Sequence, residues 1–324
     1  MKTVRIATRR SELALWQTRW VAAELKKRNP ELEVEEVHVV TKGDKVTDRP
    51  LHTVGGKGLF VSEVEAYVAR GEADLAVHSL KDVPGDVDLA EGCDLLCLPK
   101  REDPRDVLLT RDGTELMGLS AGSRVGTVSL RRISQLKAQR PDLAFETLRG
   151  NVPTRLGRLQ KGDFDAIVLA ASGLTRLGLL EGTPHQVLSP EVCLPAVGQG
   201  TLALEGRADN DELRALLAPL EDEATRLVTT AERALLRRLQ GSCRVPIAGF
   251  AELTERGMRL RAMVGDVDGE KLLSASSDVY LRGNALDQAR DLGQEVADSL
   301  IAQGAQKMMR EAEATVLRRS QKWN

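Results

Sequence analysis

The chain has 324 residues, 42% of them hydrophobic and 29% charged, the profile of a globular protein long enough for two or three domains of about 100 to 150 residues each. Its 46 basic and 48 acidic residues nearly cancel, and three Trp, two Tyr and four Phe are all its aromatics, so it has neither the field nor the stacking surface of a nucleic-acid binder. No apolar run reaches the about 18 to 20 residues of a membrane span, and the opening Met-Lys-Thr-Val-Arg-Ile lacks a signal peptide's apolar core, so a cytoplasmic protein without a membrane partner is expected.

In chain order, residues 3–8 read as a strand, with Ser11 as N-cap of an apolar-periodic helix from Leu13 to Leu25. A strand at 34–40, a polar stretch at 41–58, a helix at 59–70 and a strand at 73–78 continue an α/β alternation. The charged segment Leu98 to Asp106, with Pro99 and Pro104, reads as a crossing into a second domain. There the rhythm restarts: strands near 124–127, 143–148 and 166–170, with helices from Leu130 and from Pro153. Leu194-Pro-Ala-Val-Gly-Gln-Gly200 reads as the return crossing. After Pro219 come a long helix (220–239), three strand-like segments (245–253, 258–264, 271–281) and a helix at 285–301. The tail after Gly304 fits either a helix or a frayed end.

The expected domains are therefore 1–99 with 199–218, then 100–198, then 219–324. Cys93, Cys97, Cys193 and Cys243 form no CxxC pair and His38, His52, His78 and His185 no zinc spacing, so neither disulfides nor a metal site is expected.

Arginine outnumbers lysine 33 to 13, and three strand-to-helix turns concentrate it. Arg9 and Arg10 precede Ser11; Thr127, Ser129, Arg131 and Arg132 open another helix; Arg149, Asn151, Thr154 and Arg155 flank a third, with Pro153 suited to its first turn. Cations at a helix N-terminus are unfavourable by about 0.3 to 1 kcal/mol unless an anion sits there. One such turn would be an ordinary solvated cap. Three, all at the carboxyl ends of strands in two similar domains, point to a cleft gripping one large, multiply charged anion.

Thr53-Val-Gly-Gly-Lys-Gly-Leu-Phe60 is not a Walker A loop, because Leu51 and Gly58 stand where Gly and Ser or Thr are required. What remains is a lysine-bearing loop of about 17 residues, Lys42 to Gly58, either a lid or a plain surface loop. In Val77-His-Ser-Leu-Lys-Asp-Val-Pro84, Asp82 reads as an acid/base group or cation stabiliser, or as a turn former before Pro84. Cys93, Cys97 and Cys193 lie among apolar residues. Cys243, in Gln240-Gly-Ser-Cys-Arg-Val-Pro246 beside Arg244, is either a thiolate favoured by that cation or a buried thiol.

Seven ordered segments carry a resemblance: Arg5 to Gln17, Gly55 to Phe60, His78 to Pro84, Gly126 to Arg132, Leu148 to Val152, Leu194 to Gly200 and Gly241 to Ile247. Together they closely resemble the porphobilinogen deaminase (hydroxymethylbilane synthase) family over nearly the whole chain. The resemblance implies a monomeric enzyme of tetrapyrrole synthesis, with two periplasmic-binding-protein-like α/β domains and a smaller C-terminal α+β domain with a three-stranded antiparallel sheet. It implies that four porphobilinogens are joined head to tail, with loss of ammonia, onto a dipyrromethane cofactor held by a thioether on Cys243, and that hydrolysis releases hydroxymethylbilane.

By the same resemblance Asp82 is the catalytic carboxylate. Lys81, Thr127, Ser129, Arg131 and Arg132 contact the cofactor, and Arg9, Ser11, Arg149, Arg155, Arg176, Gln199 and Lys57 the substrate. Six rings bring twelve carboxylates into the cleft, which accounts for the arginine forks. Ser242, where the family commonly has glycine, and Thr53, where a loop lysine is common, depart from the pattern. The competing reading is a non-catalytic two-domain anion-binding or sensor protein, which would need no tethered primer and hence no Cys243.

Overall fold

The computed structural model describes residues 1–41, 61–85, 88–242 and 244–321. Lys57, with the rest of the glycine-rich loop, and Cys243 lie outside the described residues. The chain begins β1 (Thr3–Arg9), α1 (Glu12–Arg28), β2 (Glu33–Val39), α2 (Ser62–Ala69), β3 (Leu75–Ser79), a 3-10 turn (Leu80–Asp82) and β4 (Cys93–Cys97). It continues β5 (Asp106–Thr110), β6 (Arg124–Gly126), α3 (Leu130–Gln139), β7 (Ala144–Glu146), α4 (Val152–Gln160), β8 (Ala166–Ala170), α5 (Ala171–Arg176) and β9 (His185–Leu188). It ends β10 (Leu202–Arg207), α6 (Asp211–Leu217), α7 (Glu223–Leu239), β11 (Ile247–Thr254), β12 (Gly257–Gly265), β13 (Leu272–Val279), α8 (Ala285–Ala302) and α9 (Ala305–Gln321).

Three sheets organise these elements. The first has the order β2-β1-β3-β10-β4 and the second β7-β6-β8-β5-β9. In each, three parallel strands are followed by a strand antiparallel to both its neighbours, β10 in one and β5 in the other. Both antiparallel strands directly follow a crossing segment, so each unit takes its fourth strand from the chain as it enters from the other. The third sheet, β11-β12-β13, is antiparallel, and α7, α8 and α9 share its apolar core. Where α7 and α8 cross, a Cβ on Gly293 would lie 2.3 Å from the Ala231 carbonyl oxygen, so only glycine allows the approach.

The fold class is the one expected: two α/β units and an α+β unit. The helix expected from 220 starts at Glu223, because a 3-10 turn occupies Ala218–Leu220 and the Asp222 side chain caps the helix by accepting from Thr225 N. The strand expected at 143–148 shortens to Ala144–Glu146, and the tail is helical, anchored by Ala305, Met309, Ala312 and Val316. Sequence reasoning missed β4, β5, β9, β10, α5 and α6. Each strand among them is four to six residues long, too short to show a period, and β5 and β10 start directly at a crossing.

Candidate active site

In both α/β units the helices that follow parallel strands begin at the carboxyl edge of the sheet. There α1 follows β1, the 3-10 turn follows β3, α3 follows β6, α4 follows β7 and α5 follows β8, the edge at which open α/β sheets bind ligands. The caps are the residues the sequence pointed to. Ser11 accepts from Ala14 N at 3.3 Å, Ser129 from Arg132 N at 3.4 Å and Asn151 from Thr154 N at 2.9 Å. Thr127 is buried, and its hydroxyl accepts from Ser129 N at 3.2 Å. The two units meet at α1 and α5, where a Cβ on Gly173 would stand 3.8 Å from Leu13.

The segment His78 to Asp82 is tied down residue by residue to elements on either side. His78 Nε2 lies 2.8 Å from Glu205 Oε2 on β10, a buried pair, and Ser79 Oγ accepts from Gln17 Nε2 on α1 at 3.0 Å. Leu80 N donates to the Thr201 carbonyl at 2.9 Å, and Lys81 Nζ donates to Gln199 Oε1 at 3.3 Å. Arg233 on α7 grips the chain just beyond, donating to the carbonyls of Val83 (3.3 Å) and Pro84 (3.1 Å). Asp82 is exposed, and its carboxylate makes no hydrogen bond among the described residues. One free carboxylate thus stands at the end of a braced turn.

Lys81 is reached by solvent yet densely surrounded by protein, and for its charge the surrounding protein counts more. Burial pushes its ammonium down to about 8; Asp82 and Asp106 favour the charge, while Arg132 and Arg131 oppose it.

The arginines converge on one carboxylate that sequence reasoning did not single out. Asp106, at the start of β5, is 0% exposed. Arg131 Nη1 donates to its Oδ2 at 2.7 Å, and Arg132 Nε and Nη2 donate to its Oδ1 at 3.1 and 2.7 Å. Gln199 Nε2 donates to the same Oδ1 at 2.9 Å and to the Pro104 carbonyl at 2.7 Å. The Cys193 thiol donates to Oδ2 at 3.4 Å. Burial alone would raise the Asp106 pKa, but Arg131 and Arg132 outweigh it and hold the carboxyl well below the usual range.

Arg131 also gives Nη1 to the Leu194 carbonyl at 2.8 Å. Its Nε and Nη2, the side-on fork that binds a carboxylate at two points, have no protein partner among the described residues. Arg132 gives Nη1 to the Val168 carbonyl at 2.9 Å, which leaves only the second protons of Nη1 and Nη2.

Around this cluster lies positive charge with few protein anions to balance it. Arg155, whose Nε donates to the Gly150 carbonyl at 2.8 Å, is pushed down to about 10 by burial and by Arg132 and Arg149, with Asp82 opposing. Arg176, whose Nη2 donates to the Gly200 carbonyl at 2.7 Å, is pushed down to about 10 by burial, with Glu102 opposing. Such cations would be relieved by anions entering the cleft. Lys81, Asp82, Arg131, Arg132, Arg149, Arg155 and Gln199 are thus brought together, with Arg176 beside the return crossing. Arg9 ends β1 and Ser11 caps α1, on the first unit's side.

A second buried carboxylate, Glu232 on α7, locks the crossings to the third unit. It accepts from Arg101 Nη1 (2.7 Å) and Nη2 (3.2 Å) on the outgoing crossing, from Gly198 N (2.7 Å) on the return crossing and from Ala251 N (2.9 Å) on β11. The crossings also pair with each other, Glu102 N donating to the Gly200 carbonyl at 3.1 Å. Gly200 has φ +90°, and a Cβ there would stand 2.4 Å from the Glu102 carbonyl oxygen. In sequence, Asp106 and Glu232 look like an ordinary linker charge and helix charge; the only hint at Asp106 is a carboxylate directly abutting the apolar run Val107-Leu-Leu109.

The family model described as "Porphobilinogen deaminase, dipyromethane cofactor binding domain" matches residues 4–215, and "Porphobilinogen deaminase, C-terminal domain" matches residues 226–302. The chain belongs to the porphobilinogen deaminase family. It is thereby a transferase of tetrapyrrole biosynthesis whose cofactor is dipyrromethane, and the reading as a non-catalytic binder is set aside.

Among solved structures the chain is similar to the periplasmic VFT2 domain of BvgS from Bordetella pertussis, at 16% identity over 67% of this chain and 85% of that one, with a TM-score of 0.39. It is similar to the probable amino-acid ABC transporter extracellular-binding protein ytmK from Bacillus subtilis, at 10% identity over 68% and 90%, with a TM-score of 0.41. It is also similar to the periplasmic aliphatic sulphonate binding protein SsuA from Escherichia coli, at 15% identity over 73% and 70%, with a TM-score of 0.37. These likenesses are too distant to carry an argument. Among the described residues no helix is long and apolar enough to cross a membrane, and no group of three or more His, Cys, Asp or Glu side chains is placed to hold a metal ion.

Proposed function

We propose that the chain joins four porphobilinogen molecules head to tail, with release of ammonia, onto a dipyrromethane primer attached through a thioether to Cys243, and frees the product hydroxymethylbilane by hydrolysis. The observation that carries this reading is a cluster of cations in which Lys81 and Arg155 lie near one exposed carboxylate without a hydrogen bond, Asp82, while Arg131 and Arg132 lie near Lys81 and Arg132 and Arg149 near Arg155. A porphobilinogen-derived ring brings an acetate and a propionate to such cations, and its N–H group to such a carboxylate.

The donor set fits dipyrromethane. The open Nε and Nη2 fork of Arg131 suits a carboxylate, and Lys81, Thr127, Ser129 and the remaining Arg132 protons supply further donors. When bound, dipyrromethane supplies a free pyrrole α-carbon as the nucleophile. Arg9, Ser11, Arg149, Arg155, Arg176, Gln199 and Lys57 would hold the carboxylates of substrate and growing chain by two-point contacts. As the substrate's amino group leaves as ammonia, positive charge develops on its pyrrole. Asp82, held by a turn braced through Leu80 and Lys81, stabilises that charge and takes part in the proton transfers. Because the turn is preorganised, this electrostatic help is worth several kcal/mol, as about 2.7 to 4 kcal/mol is for one oxyanion-hole donor elsewhere.

The reading includes domains at 1–99 with 199–218, 100–198 and 219–324, a monomer, and a cytoplasmic location. Its test is the ratio of ammonia released to hydroxymethylbilane formed by the purified chain. Four to one is expected; a ratio of one to one, or ammonia without the linear tetrapyrrole, would overturn the polymerising reaction.

A further inference from the structure

We propose that Asp106 is a positioning residue of the primer site: its buried carboxylate fixes the Gln199 amide, and through that amide the Lys81 ammonium, while holding Arg131 and Arg132 beside them. The proposal deepens the reading of Lys81, Arg131 and Arg132 as cofactor contacts and rests on it.

Gln199 decides the geometry. Its Nε2 has two protons, and both are used on the second unit's side: one on Asp106 Oδ1 at 2.9 Å and one on the Pro104 carbonyl at 2.7 Å. With the nitrogen so committed, Oε1 must face the other way, where it accepts from Lys81 Nζ at 3.3 Å. A flipped amide would set its protons against the Lys81 ammonium and leave its oxygen facing Asp106 and the Pro104 carbonyl, acceptor against acceptor. Asp106 is therefore what makes Gln199 an acceptor toward Lys81 rather than a donor.

The same carboxylate orders the arginines. It takes Nη1 of Arg131, so that guanidinium keeps Nε and Nη2 as its open edge, and it takes Nε and Nη2 of Arg132. Asp106 begins β5 at the end of the outgoing crossing, Gln199 lies on the return crossing and Lys81 follows β3 in the first unit. Arg131–Asp106–Gln199–Lys81 is thus a hydrogen-bonded line from α3 in one α/β unit to the catalytic turn of the other. It sets the spacing of the cations on the two sides of the cleft before any ligand arrives.

The charged groups around Lys81 are Asp82 on its own turn, Arg131 and Arg132 on α3, and Asp106 on β5. Removing the Asp106 charge leaves the two guanidiniums less balanced, which disfavours the Lys81 ammonium. The test labels the amines of the purified chain with a lysine reagent across pH 6 to 10 and maps Lys81 by mass spectrometry, for the parent, Asp106→Asn and Gln199→Met. The Gln199→Met variant leaves the ion pairs of Asp106 with Arg131 and Arg132 in place and removes the amide between Asp106 and Lys81, acceptor and donors together, so it decides the question if Asp106→Asn does not fold.

In both variants the labelling midpoint of Lys81 is expected to move down. For Asp106→Asn the shift is about one pH unit, which takes a midpoint of about 8 to about 7 and speeds labelling at pH 7 about fivefold. A Lys81 midpoint equal to the parent's in folded Gln199→Met overturns the proposal, as does an unchanged midpoint in folded Asp106→Asn. Labelling the primer-carrying and primer-free forms separates the two readings. Shifted midpoints without primer protection of Lys81 uphold the positioning line and remove Lys81 from the cofactor contacts.

Discussion

Replacing Glu232 with glutamine tests whether the junction of three chain segments depends on a buried charge. Glu232 is 0% exposed and accepts four hydrogen bonds, two from Arg101, whose side chain is only 10% exposed, and one each from Gly198 N and Ala251 N. Glutamine can keep one accepting oxygen. Its amide nitrogen must then face donors, either Arg101 Nη2 with Gly198 N or Arg101 Nη1 with Ala251 N.

Breaking a buried pair by neutralising one partner costs about 3 to 5 kcal/mol. Here the lower end applies, because Arg101 keeps Nε on the Gln199 carbonyl at 2.8 Å and lies 5.4 Å from the centroid of the Phe250 ring. The prediction is a loss of about 3 kcal/mol. The control is Arg237→Ala, which breaks a pair to Asp88 whose side chains are 70% and 80% exposed and should cost at most about 1 kcal/mol. Equilibrium urea unfolding followed by circular dichroism gives both values, comparing transition midpoints because a chain of several units need not unfold in one step. A Glu232→Gln variant within about 0.5 kcal/mol of the parent, or no worse than Arg237→Ala, would refute the reasoning.

Asp82→Asn, altering an exposed side chain with no hydrogen bond to lose, should melt like the parent, carry the primer and lose at least about 100-fold in turnover; intact mass and product assay check this, and most of the activity surviving would end the role assigned to Asp82. Arg149→Leu or Arg155→Leu should stall elongation at a particular ring count, seen as one dominant enzyme-bound oligomer by mass spectrometry, whereas uniform slowing of every step would argue against ring-specific contacts. Gly200→Ala requires a left-handed alanine and a 2.4 Å approach to the Glu102 carbonyl, so a loss of at least about 1 to 3 kcal/mol is expected in thermal melts. Glu65 is raised, first by burial and then by Glu205, despite Ala90 N donating to it at 2.6 Å. A raised carboxyl binds more protons folded than unfolded, so stability falls as pH rises through its titration; Glu65→Gln should be neutral near pH 4 and stabilising by less than about 1 kcal/mol near pH 8, and destabilisation growing with pH would contradict this.

What the sequence showed of the site was local chemistry. Ser11, Ser129 and Asn151 announced their helices because a cap acts three residues away, and the arginines in the first turns were conspicuous because a helix N-terminus repels them. The carboxylates that organise those arginines were not legible. Asp106 meets Arg131 and Arg132 from 25 and 26 positions away, Glu205 meets His78 from 127, and Glu232 meets Arg101 from 131. Each is a lone charge that only tertiary structure can bury with its partner. The strands β5 and β10 were hidden for a related reason: both open directly from crossings and carry a buried acid, so they read as linkers. The tail helix had its signal in the spacing of Ala305, Met309, Ala312 and Val316, three and four apart on one face, but a charged surface masked it.

The most direct test of the account is the intact mass of the purified chain, followed by peptide mapping around position 243. The account predicts an excess equal to two porphobilinogens less two ammonias, localised to Cys243. A chain of unmodified mass that still gains nothing on incubation with porphobilinogen would contradict it.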